Sequence, residues 1–579
     1  MENREIARLL SETADLMEIA AEDPFRIRSY RNGASVIESY TERIEDKARG
    51  GKLTDIPGIG KGLAGAIDEI LKRGSFERRD LLLTKYPPTA LELLKIQGLG
   101  PKTIALLWEH YRVSTIDDLE RICQEQKLRL LPRLGAKLEE KVLRSIAQYR
   151  RRSGRFLLSF ADELASELAA YLAATPGVEK VTPAGSLRRG KETVGDLDLL
   201  VTGPDPDAAL DRFVAHPRVG EVLVKGVNKA SAKVGLQAIQ VDVRALPADS
   251  FGAAMLYFTG SKEHNITLRS RCLKMGYTLS EYGLFQLEGE ARVAGATEEE
   301  VYAKLGLAWI PPELRENQGE IDAAAEARLP CLVERADIRG DLHMHTTETD
   351  GRATLEEMAG AARELGYEYI AVTDHSQALA MANGLDEARV VAFARRVREM
   401  DQSGLGLRVF SGIECDIRKD GTMDLADDAL AELDFVIGSV HSYMNQEAAE
   451  MTDRLLRALE CPHIRALGHP TGRLLLVRDA FPFDFDRVAT EAARRGVAME
   501  INASPERLDL HDTLLRQAKA RGVRFVISTD AHHPKHLLNM RYGVTMARRG
   551  WLEASDVINT LRLNEFQQLC STSPLRNTR

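Results

Sequence analysis

Between residues 341 and 536 the chain repeats one pattern: a short apolar run ends in side chains that can bind a metal ion. The run ends are Asp341-Leu-His-Met-His345, Val372-Thr-Asp-His375, Gly412-Ile-Glu414, Gly438-Ser-Val-His441, Gly468-His469-Pro470 and Ser528-Thr-Asp-Ala-His532. Runs such as Tyr369-Ile-Ala-Val and Phe525-Val-Ile-Ser are apolar throughout, the character of buried parallel strands, and helix-patterned stretches such as 354–365 separate them. Parallel strands spaced by helices close into a β/α barrel, and groups at the strand C-termini gather on one face of it. The spacing thus predicts that His343, His345, Asp350, His375, Glu414, His441, His469, Asp530 and His532 converge on one site.

One histidine at a strand end is ordinarily a hydrogen-bonded core residue; the same feature at strand after strand is not. Nine ligands exceed what one tetrahedral ion takes, so two or three ions are expected. Imidazoles with a few carboxylates suit Zn, Mn or Fe. The chemistry of such a cluster is hydrolysis of phosphate esters, in which the ions activate water and neutralise phosphate charge.

A chain of 579 residues, 44% hydrophobic, should hold three or four domains with sizeable cores. The N-terminus, Met-Glu-Asn-Arg-Glu, lacks a basic segment followed by an apolar one, and no apolar run approaches bilayer length. A cytoplasmic protein without a membrane partner is expected. Cys123, Cys272, Cys331, Cys415, Cys461 and Cys570 are scattered with no CxxC, which fits reduced, structural thiols. A net charge of −9 excludes an indiscriminate polyanion binder. Residues 1–150 are the least acidic part.

That first part is helix-patterned and punctuated by two similar turns, Ile56-Pro57-Gly58-Ile59-Gly60-Lys61 and Ile96-Gln97-Gly98-Leu99-Gly100-Pro101-Lys102, with a degenerate third, Leu131-Pro132-Arg133-Leu134-Gly135-Ala136-Lys137. Glycines here permit a tight turn whose N–H groups start a helix and can approach phosphate, and the following Lys61 or Lys102 adds charge. Gly58, Gly60, Lys61, Gly98, Gly100 and Lys102 are therefore candidate DNA-backbone contacts that read no bases. A plain helix-capping turn is the alternative for a single copy.

Gly195-Asp196-Leu197-Asp198-Leu199-Leu200-Val201 reads as a strand that opens with two carboxylates on one face. Asp242, in Ile239-Gln-Val-Asp-Val, sits on a second apolar strand able to pair alongside. Three oxygen ligands on adjacent strands suit two Mg ions bridging a nucleoside triphosphate. Upstream, Gly185-Ser186-Leu187-Arg188-Arg189-Gly190-Lys191 supplies a small-residue turn and cations for the triphosphate.

Together these residues resemble the family X DNA polymerases, in the bacterial and archaeal form with a C-terminal PHP (polymerase and histidinol phosphatase) domain. The resemblance covers nearly the whole chain and rests on Gly185-Ser186 with Arg189, the Asp196/Asp198 strand, Asp242, Tyr257-Phe258-Thr259-Gly260-Ser261 leading to Asn265 and Arg269, and the C-terminal ligand set. It implies a multidomain α and α/β protein. Residues 1–80 and 81–152 would be helical helix-hairpin-helix domains that bind DNA, 153–245 a nucleotidyltransferase palm, 246–315 a nucleotide-selection thumb or fingers, 316–337 a linker and 338–579 a distorted (β/α)7 PHP barrel.

The resemblance also implies roles. Asp196, Asp198 and Asp242 would be catalytic and hold two Mg ions. Gly185, Ser186, Arg189 and Gly260 would meet the incoming nucleotide, Tyr257 and Phe258 would pack on its sugar, and Asn265 and Arg269 would lie in the DNA minor groove. In the barrel one ion would sit on His343, His345, Glu414 and Asp530, a second on Asp350, His375 and His532, and a third on Glu414, His441 and His469. The implied activities are filling of short gaps in nicked or gapped duplex DNA from deoxynucleoside triphosphates, by a monomer, and Mn- or Zn-dependent 3′–5′ exonucleolysis, with abasic-site incision beside it.

Two positions depart from the family pattern. Ala66 stands where eukaryotic relatives carry a lysine that forms a Schiff base, which puts lyase activity in doubt; Lys52, Lys61 or Lys72 are the nearby amines. Lys262 follows Thr-Gly-Ser where those relatives carry Asp, and a cation there should strengthen nucleotide binding. Arg150-Arg151-Arg152-Ser153-Gly154 is either the joint between helical region and palm or a solvated helix end, and a linker over 316–337 would either let the two catalytic units move independently or pack as a helix. Two other functions fit parts of the pattern: a metal-dependent nuclease with a passive palm, and a DNA-end-binding scaffold.

Overall fold

The computed structural model describes residues 3–40, 44–132, 134–152, 154–401 and 406–571. The chain forms two compact units, Met1–Ser153 and Gly154–Arg579. Among the described residues no helix is long and apolar enough to cross a membrane.

The first unit is helical. Helices Asn3–Ile19, Pro24–Ser39 and Lys61–Arg73 enclose a core that includes Ile6, Leu10, Ile37, Ile67 and Ile70, and Pro101–Tyr111, Ile116–Gln124 and Ala136–Arg152 enclose another around Leu107, Leu119 and Ile146. Local chemistry sets the helix starts. Asp23 accepts a hydrogen bond from the Phe25 N–H with Pro24 in the first turn, and Thr115 accepts from the Asp118 N–H. Arg133 of the third turn and Ser153 of the expected joint lie outside the described residues.

The second unit begins with a five-stranded mixed sheet in the order Lys180–Pro183, Asp196–Thr202, Ile239–Ala245, Lys229–Val234, Val219–Lys225. Asp196–Thr202 and Ile239–Ala245 run parallel at its centre. Helices Leu158–Ala173 and Ala208–Val214 cover one face, and helix Phe251–Thr259 packs Phe251, Ala254 and Met255 onto Leu200 and Ala184. A three-stranded antiparallel sheet, Tyr277–Ser280, Gly283–Gln286 and Arg292–Ala294, follows with helix Glu298–Lys304.

From Gly340 onward seven strands pair in sequence order and all in parallel: Gly340–Asp341, Tyr369–Val372, Arg408–Asp416, Phe435–Ser439, Ile464–Leu467, Ala498–Asn502 and Phe525–Ser528. A parallel bridge between Met344 and Ala531 joins the first strand's end to the last, closing the barrel. The helix expected over 354–365 is Leu355–Glu364, opened by a capping box of Thr354 and Glu357 that contributes about 1 kcal/mol.

Of the two readings of 316–337, the free linker is the one to correct, because that segment is packed. Glu320–Ala325 is a helix with Ile321, Ala323 and Ala324 buried, the Val333 N–H donates to the Leu552 carbonyl at 2.9 Å, and Leu332 bridges to Glu553. The few apolar residues among the charges dock the segment, and one continuous core runs from palm residues such as Leu197 and Val241 to barrel residues such as Val372 and Ile527. Independent motion of the two catalytic units on this tether would have to expose that core.

Candidate functional site

Parallel register sets Asp198 directly opposite Asp242, and Asp196 lies two residues earlier on the same face. Asp196 is exposed, Asp198 half-buried and Asp242 buried. Lys229 Nζ sits 2.6 Å from Asp242 Oδ2, Arg244 lies at 3.8 Å, and Gln240 Nε2 donates to Asp242 Oδ1 at 3.2 Å. Burial, with the charges of Asp196 and Asp242, pushes the Asp198 carboxyl up to about 7. Burial acts on Asp242 as well, but Lys229 and Gln240 outweigh it and hold that carboxyl below its ordinary value. Asp198 is thus harder to ionise than its neighbour, because burial and like charge act on it together, and a dication relieves that excess charge.

The Gly185 turn abuts these carboxylates. Gly185 has φ +63°, and a Cβ there would lie 2.9 Å from Asp198 Oδ2, so only glycine brings the turn this close. Ser186 follows in the short helix Gly185–Arg188. Arg189 is engaged: its Nε donates to Glu316 Oε1 at 3.0 Å and its Nη1 to the Thr259 carbonyl at 2.5 Å, beside Gly260. Tyr257 and Phe258 meet edge to face at 5.0 Å, with Arg269 over the first ring and Arg244 over the second at 5.1 and 4.3 Å. Asn265 Nδ2 donates to the Tyr257 carbonyl at 2.8 Å, and Lys262 is exposed at the start of helix Lys262–Lys274. The structure therefore joins the carboxylates to the Gly185 turn and Arg189 to Gly260, and gathers Tyr257, Phe258, Asn265 and Arg269 into a cluster of their own.

In the hairpin turns the two glycines of each pair do different work. Gly58 and Gly98 have φ +91° and +97°, and a Cβ would press on Val36 at 3.1 Å or Leu138 at 2.9 Å, so the fold itself requires glycine there. Gly60 and Gly100 cap helices Lys61–Arg73 and Pro101–Tyr111 with extended backbone and nothing within 4 Å of a Cβ. Space is open at both, so the fold itself does not require glycine at either position. Lys61 is exposed and Lys102 lies in the first turn of its helix.

In the barrel, His345, Asp350, His375 and His532 present ligand atoms within 4.8 Å of one another, as do His343, His345 and Asp530, and His375, Glu414 and His441. His469 Nε2 joins through Glu414 Oε1 at 2.8 Å. His345 and His375 each belong to two groups, so the bare geometry forms one continuous cluster rather than three separate sets. A metal cluster fits these residues: buried His343 Nε2, His345 Nδ1 and Glu414 Oε2 make no hydrogen bond within the protein. His469 and Asp530 hold φ +26° and +52°, strained values for non-glycine residues that concentrate at functional sites. Burial would keep His375 and His441 neutral, but Glu414 outweighs it, aided by Asp350 at one and Asp416 at the other, and raises them to about 10 and 9. Burial, with His532 and His375 beside it, lowers His345 to about 3.

Glu500 was not anticipated. The sixth barrel strand, Ala498–Asn502, carries no expected ligand, yet Glu500 Oε1 lies 2.6 Å from His343 Nδ1, and Glu500 Oε2 accepts from the His469 N–H at 2.5 Å. Asn502 Nδ2 donates to Asp530 Oδ2 at 3.0 Å. These contacts fix the orientation of His343 and Asp530, members of the candidate metal groups. The available signal was a carboxylate inside the apolar run Ala-Met-Glu-Ile-Asn between two ligand-bearing strands.

Residues 1–76 match a helix-hairpin-helix domain, 90–148 a SAM-like helix-hairpin-helix tandem, 254–316 the DNA polymerase beta thumb and 341–504 the PHP domain. The chain is 36% identical over 568 residues to the DNA polymerase/3′-5′ exonuclease PolX of Bacillus subtilis (strain 168), across 98% of this chain and 99% of that protein. The chain belongs to the family X DNA polymerases that carry a PHP domain. Two other relatives, DNA polymerase lambda of Arabidopsis thaliana and of Rattus norvegicus, are 27% and 26% identical over 54% and 51% of this chain, and 62% and 53% of their own. Ala66 is buried in the hairpin core, and Lys72 pairs with Asp68 at 2.5 Å.

Proposed function

We propose that this chain is a repair-type DNA polymerase that fills short gaps by nucleotidyl transfer and trims 3′ ends at a second site in its barrel. The carrying observation is the register that opposes Asp198 and Asp242 beside the Gly185 turn, in a chain similar along its whole length to a polymerase named also as a 3′-5′ exonuclease. Its substrates are gapped or nicked duplex DNA and deoxynucleoside triphosphates, and one chain carries every residue the reading needs.

Asp196, Asp198 and Asp242 would hold two Mg ions, which when bound acidify the primer 3′ hydroxyl and neutralise charge on the triphosphate. The protein's own groups position the reactants. Ser186 and the N–H groups of its turn donate to phosphate oxygens, and Arg189 adds a cation once it leaves Glu316. Tyr257 and Phe258 pack on the sugar, while Asn265 and Arg269 bound the minor-groove side of the nascent pair. The hairpin N–H groups at Gly60 and Gly100, with Lys61 and Lys102, hold the DNA backbone. In the barrel the nine ligands would hold two or three Mn or Zn ions, which supply a hydrolytic nucleophile at neutral pH. Glu500 fixes which ring nitrogen His343 offers.

The test is a gel assay on a gapped duplex with a 5′-labelled primer, in Mg or Mn, with and without deoxynucleotides. Extension to the gap's end, with shortening when nucleotides are withheld, is the expected result. Shortening without extension favours a nuclease with a passive palm, and neither activity leaves a DNA-end-binding scaffold.

A further inference from the structure

The segment that leads out of the nucleotide turn, residues 189–192, is seated on the barrel. Gly190 has φ +66°, and a Cβ there would lie 2.1 Å from Thr545 Cγ2 on the barrel helix Met540–Arg549. Only glycine allows that approach. Barrel arginines clamp both ends of the segment. Arg549, fully buried, donates from Nη1 to the Arg189 carbonyl at 2.7 Å and to Glu316 Oε1 at 3.2 Å, and pairs through Nη2 with Asp512. Arg473 donates from Nη2 to Glu192 Oε1 at 2.7 Å, and from Nε to the Arg507 carbonyl at 3.0 Å.

Glu316 Oε1 is shared. Arg189 Nε reaches it at 3.0 Å, Arg549 Nη1 at 3.2 Å and Lys191 Nζ at 3.5 Å. Were Arg189 its only partner, turning Arg189 toward a triphosphate would leave a mostly buried carboxylate uncompensated, a costly state. When Arg189 departs, Glu316 keeps the buried Arg549 at 3.2 Å and the half-exposed Lys191 at 3.5 Å, Arg549 being the nearer and better-held cation, and the grip on the Arg189 carbonyl keeps the backbone in place as the side chain swings. We propose that Arg549 of the barrel is a positioning residue for the polymerase reaction, holding the 189–192 segment and taking over Glu316 so that Arg189 can bind the incoming nucleotide. This rests on the polymerase reading above.

The test measures KM for the incoming nucleotide and kcat on a single-nucleotide gap, exonuclease rate on single-stranded DNA, and melting temperature, for wild type, Arg549→Met, Arg549→Lys, Glu192→Gln and Arg549→Met with Glu316→Gln. Arg549→Met should raise KM on the order of tenfold, the scale of one charge-assisted hydrogen bond, with a smaller change in kcat and an exonuclease rate within about twofold of wild type. Arg549→Lys should recover part of the loss. Glu192→Gln, changed from the partly exposed side and so tolerated by the fold, should raise KM about two- to threefold. The double variant should return toward wild type, because no carboxylate then retains Arg189; a merely structural role predicts additive damage. An unchanged KM in Arg549→Met, or a double variant no better than Arg549→Met, overturns the proposal. If Arg549→Met does not fold, an unchanged KM in Glu192→Gln overturns it. Wild type that extends no primer overturns the polymerase reading itself.

Discussion

The palm and the barrel both place carboxylates on or just after parallel strands, and they compensate the charge in opposite ways. In the palm, three aspartates at a partly open edge are met by side-chain cations, Lys229 at 2.6 Å and Arg244 at 3.8 Å from Asp242. In the barrel, buried Glu414 and Asp530 are surrounded by imidazoles, themselves oriented by Glu500 and Asp416. A site whose cations are movable side chains suits ions that arrive and leave with substrate. One whose ligands are locked by further hydrogen bonds suits resident ions.

The largest expected effect separates the two sites. Asp198→Asn keeps the shape of the palm site and removes its charge, so primer extension should fall by on the order of 10³-fold or more while shortening of the same labelled primer persists. Loss of both together would show that the sites are not separate. Next comes Glu500→Gln, which leaves every expected metal ligand in place: exonuclease rate should drop about 10- to 100-fold with extension retained, as read on matched substrates. An unchanged exonuclease would mean that His343 needs no orienting partner.

Stripping with chelator should sharpen the contrast through pH. His375 and His441 have folded values of about 10 and 9, above the ordinary imidazole value. Their contribution in the stripped protein is therefore complete below pH ~6.5 and is lost as pH climbs through those values. The melting temperature of stripped protein should fall by several degrees between about pH 7 and 9.5 while Mn-loaded protein changes little. Equal pH profiles would place the imidazoles outside the metal site. The smallest effect concerns the exposed Lys262: Lys262→Ala should weaken nucleotide binding only several-fold, measured as Kd before metal is added. An unchanged Kd would remove Lys262 from the palm's set of mobile cations.

The convergence of both residue sets was legible because their members come in periodic contexts. Asp196 and Asp198 share a face by the two-residue period of a strand, and the barrel's candidate ligands recur at the same point of six of its seven β/α units. Glu500 escaped because a single carboxylate inside an apolar strand has no local signature; its role comes from His343, 157 residues away in sequence. The segment 316–337 misled in the other direction. Its charge and alanine content is that of a linker, whereas Ile321, Leu332 and Val333 dock it by contacts with residues distant in the chain.

Sequence alone determined which elements form and which of their faces carry ligands, because strand and helix periods, helix caps and turn glycines act over a few residues. Tertiary structure alone decided that Asp198 faces Asp242 in register, that Lys229 sits against that pair, that Glu500 turns His343, and that Arg549 shares Glu316 with Arg189. Each of these depends on strand order and on close packing between segments far apart in the chain, where a shift of one residue would separate charged groups that here lie within hydrogen-bonding distance.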